Sequence, residues 1–181
     1  GREYADSETE LWFPVDPTEQ TAHLGGIAAS NASGARTFRF GATRPWVRAL
    51  RVILPDGREL KVRRGEVLAQ NGELRLTQAN GGETLIRLPD VKPPATTKAT
   101  LGYDCRPDLD AVDLFIGSEG TLGALVEIEL RLVEKPASVL GVLAVVAEES
   151  QALTLVELAR TQREELGLQA LEYFDHDALT L

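Results

Sequence analysis

Two stretches of this chain carry glycines and small polar side chains at spacings where backbone, more than side chain, would do the binding. The first is Gly25-Gly26-Ile27-Ala28-Ala29-Ser30-Asn31-Ala32-Ser33-Gly34; the second, about ninety residues later, is Ile116-Gly117-Ser118-Glu119-Gly120-Thr121-Leu122-Gly123. Glycine permits close approach of main chain to another group and supplies positive φ. Asn31 adds an amide that both donates and accepts hydrogen bonds. Either stretch alone reads as a turn; together they read as a cradle whose N–H groups hold a cofactor. Arg36, Arg39 and Arg44 form a local basic cluster suited to a phosphate or a substrate carboxylate. Solvated loop charge is the commoner role for such a cluster, and Arg44 is the weak substrate candidate. His23 lies beside Gly25, and His176 lies near the other end, but a lone histidine is usually a packing or hydrogen-bonding residue. No catalytic residue and no metal site are assigned.

The elements that must position these stretches follow from turn chemistry and periodicity. Pro14, Pro17 and their polar neighbours suggest an extended segment leading into residues 25–34, and neither signal favours a helix. Residues 47–54 and 58–63 form a hairpin about Pro55-Asp56-Gly57. Asn71-Gly72 and Asn80-Gly81-Gly82 extend it as a meander over residues 64–88, which Pro89, Pro93 and Pro94 break. Residues 122–133 alternate as a half-buried strand, with Val126, Ile128, Leu130 and Leu132 on one face and Leu125, Glu127, Glu129 and Arg131 mostly on the other. Lys135-Pro136 closes that strand. A fresh β-helix-β pattern follows: residues 140–147, a helix over 150–166 ended by Gly167, and residues 168–174, with Asp175 as a further helix N-cap.

Composition bounds the function. With 181 residues the chain is long enough for one domain and a remnant of another. The net charge of −9 repels polyphosphate at long range, which argues against nucleic acid as a partner. Cys105 is the only cysteine, so an internal disulfide and a multi-cysteine metal site are both excluded within this segment. The longest apolar run, residues 139–147, is far short of the roughly 20 residues that span a bilayer. No membrane span is expected, and the cytoplasm is the default location.

The first glycine stretch, Arg39-Phe40-Gly41-Ala42-Thr43-Arg44, Gly102-Tyr103-Asp104 and residues 113–123 together resemble the FAD-linked oxidases of the vanillyl-alcohol oxidase type. Within them the resemblance is to the glycolate oxidase, D-lactate dehydrogenase and D-2-hydroxyglutarate dehydrogenase branch, and it spans roughly residues 11–136. It implies an α+β fold, a mixed, mostly antiparallel sheet with flanking helices, as the second subdomain of a PCMH-type FAD-binding domain over residues 1–136. Residues 137–181 would then begin a substrate-covering cap domain. It implies FAD lined by Gly25, Gly26, Ser30, Asn31 and Gly34 on one side and by Glu119, Gly120, Thr121, Gly123 and Leu125 on the other. The implied reaction is oxidation of a small 2-hydroxy acid or similar alcohol by hydride transfer to flavin N5. The electron acceptor stays open among oxygen, a quinone, cytochrome c and a partner subunit.

The expectation is of a piece of a larger protein, with the main pyrophosphate loop upstream and the catalytic histidine of the cap downstream, so that this chain alone does not retain stoichiometric FAD. Phe40 in place of a tyrosine, Pro45 in place of an aspartate, and the longer link from Cys105 to Asp110 depart from the family pattern. The longer link, with the meander over residues 64–88, looks like a bacterial subgroup and puts the substrate in doubt, not the cofactor. The rival reading is a non-catalytic subunit or degenerate paralogue that keeps the fold for a structural or regulatory role.

Overall fold

The computed structural model describes residues 9–19, 21–78, 80–91, 96, 98–100 and 102–180. Its regular elements are β1 (Leu11–Trp12), α1 (Leu24–Ala29), α2 (Thr37–Phe40), a 3-10 turn (Arg44–Trp46), β2 (Val47–Ile53), β3 (Glu59–Arg63), β4 (Glu73–Thr77), β5 (Glu83–Arg87), α3 (Ala111–Phe115), β6 (Ala124–Leu130), β7 (Val133–Glu134), α4 (Glu149–Thr161) and α5 (His176–Leu179). The architecture is α+β with small antiparallel sheets and few helices. One sheet has the order β3-β2-β6, and two-stranded ladders join β4 to β5 and β1 to β7.

The hairpins form where the turn residues place them. Leu54 N–H donates to Arg58 O at 2.8 Å, and Gly57 takes the positive φ of 81° that its position needs. Asn71 and Gly72, at φ 51° and 75°, make the two-residue turn that pairs Gln70 with Glu73. Gln78 N–H donates to Gly82 O at 2.7 Å and closes the next hairpin. Pro93 and Pro94 lie outside the described residues.

Strand β6 departs from simple alternation. Its register against β2 shifts between Arg51 and Val52, which pair with Glu127 and Leu125, so Val126 is left over as a bulge. The bulge corrects the expected face. Leu125 joins Ile128 and Leu130 against the core, whereas Val126 is 47% exposed and Leu132, beyond the strand end, points away.

The core collects Val47, Leu50 and Val52 from β2, Leu60 and Val62 from β3, Leu74 and Leu76 from β4, and Ala111, Val112, Leu114 and Phe115 from α3. Helix α3 has only five residues, too short to stand alone. Burial of Val112, Leu114 and Phe115 holds it, and Asp110 caps it by accepting from Val112 N–H at 3.0 Å and from Gly65 N–H at 2.7 Å.

Residues 25–34 contain a helix, contrary to the sequence expectation. Helix α1 incorporates Gly25 and Gly26 at a propensity cost of about 1 kcal/mol each relative to alanine. His23 gives it no side-chain cap, so burial of Ile27 and Ala28 is what stabilises it. Its end is well made: Ala32 N–H donates to Ile27 O and Asn31 N–H to Ala28 O, with Asn31 at φ 49°, the paired bonds of a Schellman motif.

Beyond Pro136 the pattern is only partly realised. Residues 140–147 and 168–174 form no strand, and Leu140, Val142, Leu143 and Val145 are more than four-fifths exposed. A strand needs a partner, and these two find none among the described residues. Helix α4 begins where Gln151 Oε1 accepts from Glu148 N–H at 3.3 Å, and ends at Thr161, five residues before the expected end. Turns continue from there to Gly167, which takes the expected positive φ of 59°. Asp175 caps α5 through Ala178 N–H at 2.8 Å.

Candidate functional site

The two glycine stretches meet. Glu119 N–H donates to Ala29 O at 2.9 Å and Gly117 N–H to Ala28 O at 3.3 Å, so the second stretch is hydrogen-bonded directly to the C-terminal half of α1. Residues 118–121 make a tight turn, with Glu119 at φ 51°, Gly120 at 79° and Thr121 N–H returned to Ser118 O at 3.0 Å. Thr121 Oγ1 donates to Ser118 O at 2.6 Å and contacts the Tyr103 hydroxyl, which ties the Gly102-Tyr103-Asp104 segment to the same turn.

The expected site residues divide by what the chain already does with them. A Cβ on Gly34 would lie 1.5 Å from Asp16 O, and Gly34 N–H is taken by Thr37 Oγ1 at 2.8 Å. A Cβ on Gly123 would lie 2.6 Å from Ile53 O. Both glycines serve the chain's own packing. Leu125 turns its side chain into the core. Ser30 Oγ donates to Gly26 O at 2.8 Å on an exposed face of α1. Asn31 is buried, and its Oδ1 accepts from Arg44 N–H at 2.9 Å, which leaves the Nδ2 group as its free donor among the described residues.

Gly25, Gly26 and Gly120 behave differently. Neither Gly25 nor Gly26 has positive φ, and a Cβ on Gly26 or Gly120 would meet nothing within 4 Å. The first-turn amides of α1 have no intrahelical acceptor, and Gly120 N–H takes no acceptor within the described chain. Free N–H groups thus stand at the first turn of α1 and at Gly120, on the two segments that the Glu119–Ala29 hydrogen bond joins. Uncommitted main-chain donors of this kind suit a partly anionic group, such as a dinucleotide cofactor carries.

The arginines do not converge on this surface. Arg36 stacks over Trp12 at 4.3 Å and pairs with Asp16 at 3.5 Å, and Arg39 lies 5.8 Å from the Phe40 ring centroid. Arg44 turns inward. Its Nη1 donates to Asp113 O at 2.6 Å and its Nη2 to Ile116 O at 2.7 Å. Burial lowers the Arg44 pKa below its ordinary value, against the opposing pull of Asp113 and Asp104, each 3.6 Å away.

Around it stands an ion cluster that sequence reasoning missed. Arg64 grips the Asp113 carboxylate at 2.8 and 3.1 Å, and Arg106 reaches it at 3.3 Å and Asp104 at 2.8 Å. With Asp110 beside Arg64, three arginines face three aspartates, so the cluster neutralises itself rather than presenting charge to an anion. Asp104 and Asp113 fell within the resembling motifs, but nothing in their spacing pointed to Arg64. His23 is exposed at the start of α1 and His176 opens α5; no group of three or more His, Cys, Asp or Glu that could hold a metal ion occurs among the described residues. Among them, too, no helix is long and apolar enough to cross a membrane.

Comparison with known proteins agrees with the geometry. An FAD binding domain family matches residues 4–63. A D-lactate dehydrogenase of Anaerostipes hadrus is 29% identical over 175 residues, covering 96% of this chain and 29% of that protein. A D-2-hydroxyglutarate dehydrogenase of Xanthomonas citri pv. viticola is 33% identical over 177 residues, covering 97% and 29%, and one of Stutzerimonas stutzeri is 28% identical over 170, covering 93% and 28%. The chain therefore spans under a third of the length of these relatives. FAD is the cofactor the matched family binds, and the open backbone around Gly26 and Gly120 fits it.

Proposed function

Because the chain is related to FAD-linked oxidases of the D-lactate and D-2-hydroxyglutarate dehydrogenase branch, we propose that the whole protein oxidises a small 2-hydroxy acid with FAD, and that this chain supplies part of the flavin site. The observation that carries the reading is the pair of unobstructed glycines, Gly26 on α1 and Gly120 in the 118–121 turn, on segments joined by the Glu119–Ala29 hydrogen bond. When bound, FAD supplies the two-electron oxidation, with the hydride of the substrate C–H accepted at flavin N5.

This chain's own part is to bind and orient. Gly25 and Gly26 offer main-chain N–H at the open first turn of α1, and Gly120 offers it from the turn. Asn31 Nδ2 and the exposed Ser30 hydroxyl add polar contacts on the same side, and Gly34, Thr121, Gly123 and Leu125 hold the frame behind them. The proton of the substrate hydroxyl is taken by a base outside this chain. Residues 1–136 form the FAD-binding unit and residues 137–181 the beginning of a substrate domain. The exposed apolar residues of 140–147, which join no ladder among the described residues, support that division. The site acts in the cytoplasm, passing electrons to an acceptor still to be identified.

The test is the absorbance spectrum of the purified whole protein, followed by anaerobic addition of D-lactate, D-2-hydroxyglutarate and related acids. A flavin spectrum that bleaches with one of them is the expected result. Bound flavin that no hydroxy acid bleaches favours the non-catalytic alternative, and a colourless protein that does not take up FAD overturns both.

A further inference from the structure

One residue touches both sides of the seam at which the two glycine stretches meet. Arg44 backbone N–H donates to Asn31 Oδ1 at 2.9 Å, at the end of α1, while its guanidinium donates to Asp113 O at 2.6 Å and Ile116 O at 2.7 Å, immediately before the Gly117–Thr121 segment. Those two carbonyls belong to the last turn and the C-cap of α3, where backbone acceptors lack intrahelical partners and positive charge is favoured. Asp113 then anchors the assembly from behind through Arg64 and Arg106. Clearance is tight on the near side: a Cβ on Gly117 would sit 2.9 Å from Gly102 O and 3.4 Å from Arg44 Nη2.

We infer that Arg44 is a positioning residue that fixes the 116–120 segment against Asn31 and so sets how the Glu119–Gly120 turn seats on α1. The inference rests on the FAD reading. Two carbonyls three residues apart require two divergent N–H groups held in one plane, which a guanidinium supplies and an ammonium on a flexible stem does not. The role also accounts for a charge turned away from solvent: the side chain is only 18% exposed, and its guanidinium donates to two main-chain carbonyls.

The test uses the whole protein with Arg44→Lys, Arg44→Met and, as a control, Arg36→Ala, which removes the stack on Trp12 and the pairing with Asp16 and leaves the Arg44 contacts in place. Hydrogen exchange in peptides spanning residues 114–122 is measured together with FAD affinity after deflavination and with the visible circular dichroism of bound flavin. Both Arg44 variants are expected to speed exchange at Gly117 and Glu119 and to weaken FAD roughly tenfold or more with an altered dichroic spectrum, as supporting residues behind a ligand shell do when lost. Arg36→Ala is expected to lower the melting temperature alone. If Arg44→Met does not accumulate, Arg44→Lys decides. Unchanged exchange in that segment with wild-type FAD affinity overturns the inference, as does an Arg36→Ala protein that shifts both readouts equally. Should the wild type bind no flavin, the FAD reading fails and the exchange arm judges Arg44 by itself.

Discussion

In the first glycine stretch, Gly25 and Gly26 sit in a helix that would be stronger with alanine, at ordinary φ, with the space beside Gly26 empty; in the second, a Cβ on Gly117 or Gly123 would press within 3 Å of a carbonyl oxygen. The two stretches look alike in composition and differ in what excludes the side chain. At Gly117 and Gly123, as at Gly34, the chain's own backbone occupies the space, so the residue is explained without a ligand. At Gly26 nothing in the fold asks for glycine. A position that lowers helix stability and is crowded by no neighbour is where an external group is the better explanation. Gly120 stands between these cases, since its φ of 79° asks for glycine and its surroundings do not.

The comparison breaks most sharply at Gly34. Gly34→Ala places a methyl group where Asp16 O now lies, and either the 14–17 segment detaches or the α1–α2 link moves. Overpacking against backbone costs on the order of 3 kcal/mol. Gly123→Ala should follow at about 2 kcal/mol, because Val52 and Ile53 of β2 are both in the way. Denaturant midpoints of the whole protein measure both. A loss below about 0.5 kcal/mol in either variant would remove the internal explanation for these glycines.

These distinctions were not available from the sequence, and the reason is the range of the interactions. Turns are local: Asp56-Gly57, Asn71-Gly72 and Gly167 announce their conformations by residue type, and all three take the positive φ expected of them. Helix α1 was hidden because its two glycines speak against a helix, while the burial of Ile27 and Ala28 that stabilises it comes from elsewhere in the fold. The face of β6 depends on a bulge opposite Arg51 and Val52, which alternation within one strand cannot contain. Arg44 looked like a loop charge free for a substrate because its acceptors are backbone carbonyls about seventy residues away. The strands expected at residues 140–147 and 168–174 show the converse, correct periodicity without a partner to pair with.

Gly120→Val sharpens the middle case. A β-branched residue at positive φ costs about 2 kcal/mol, so the fold should survive with a lower melting temperature. The valine side chain would also project into the open space beside the turn, where flavin is proposed to lie. The whole protein should therefore be purified with little yellow colour at near-normal yield. Undiminished flavin content would reduce the 118–121 turn to a connection between α3 and β6.

Gly26→Ala has the smallest effect on the fold and separates the two explanations most cleanly, because they predict opposite signs for stability and binding. Alanine is the better helix former by up to about 1 kcal/mol, and its Cβ meets nothing within 4 Å, so the flavin-free protein should be slightly more stable than wild type. If α1 presents its bare backbone to FAD, the same methyl group occupies contact space and affinity falls, so the melting temperature rises without flavin and falls with it. That crossing is the expected signature, read by thermal denaturation of apo and FAD-saturated whole protein. A variant stabilised equally in both states would show that Gly26 has no part in holding the cofactor, and the contact of FAD with this chain would have to lie elsewhere.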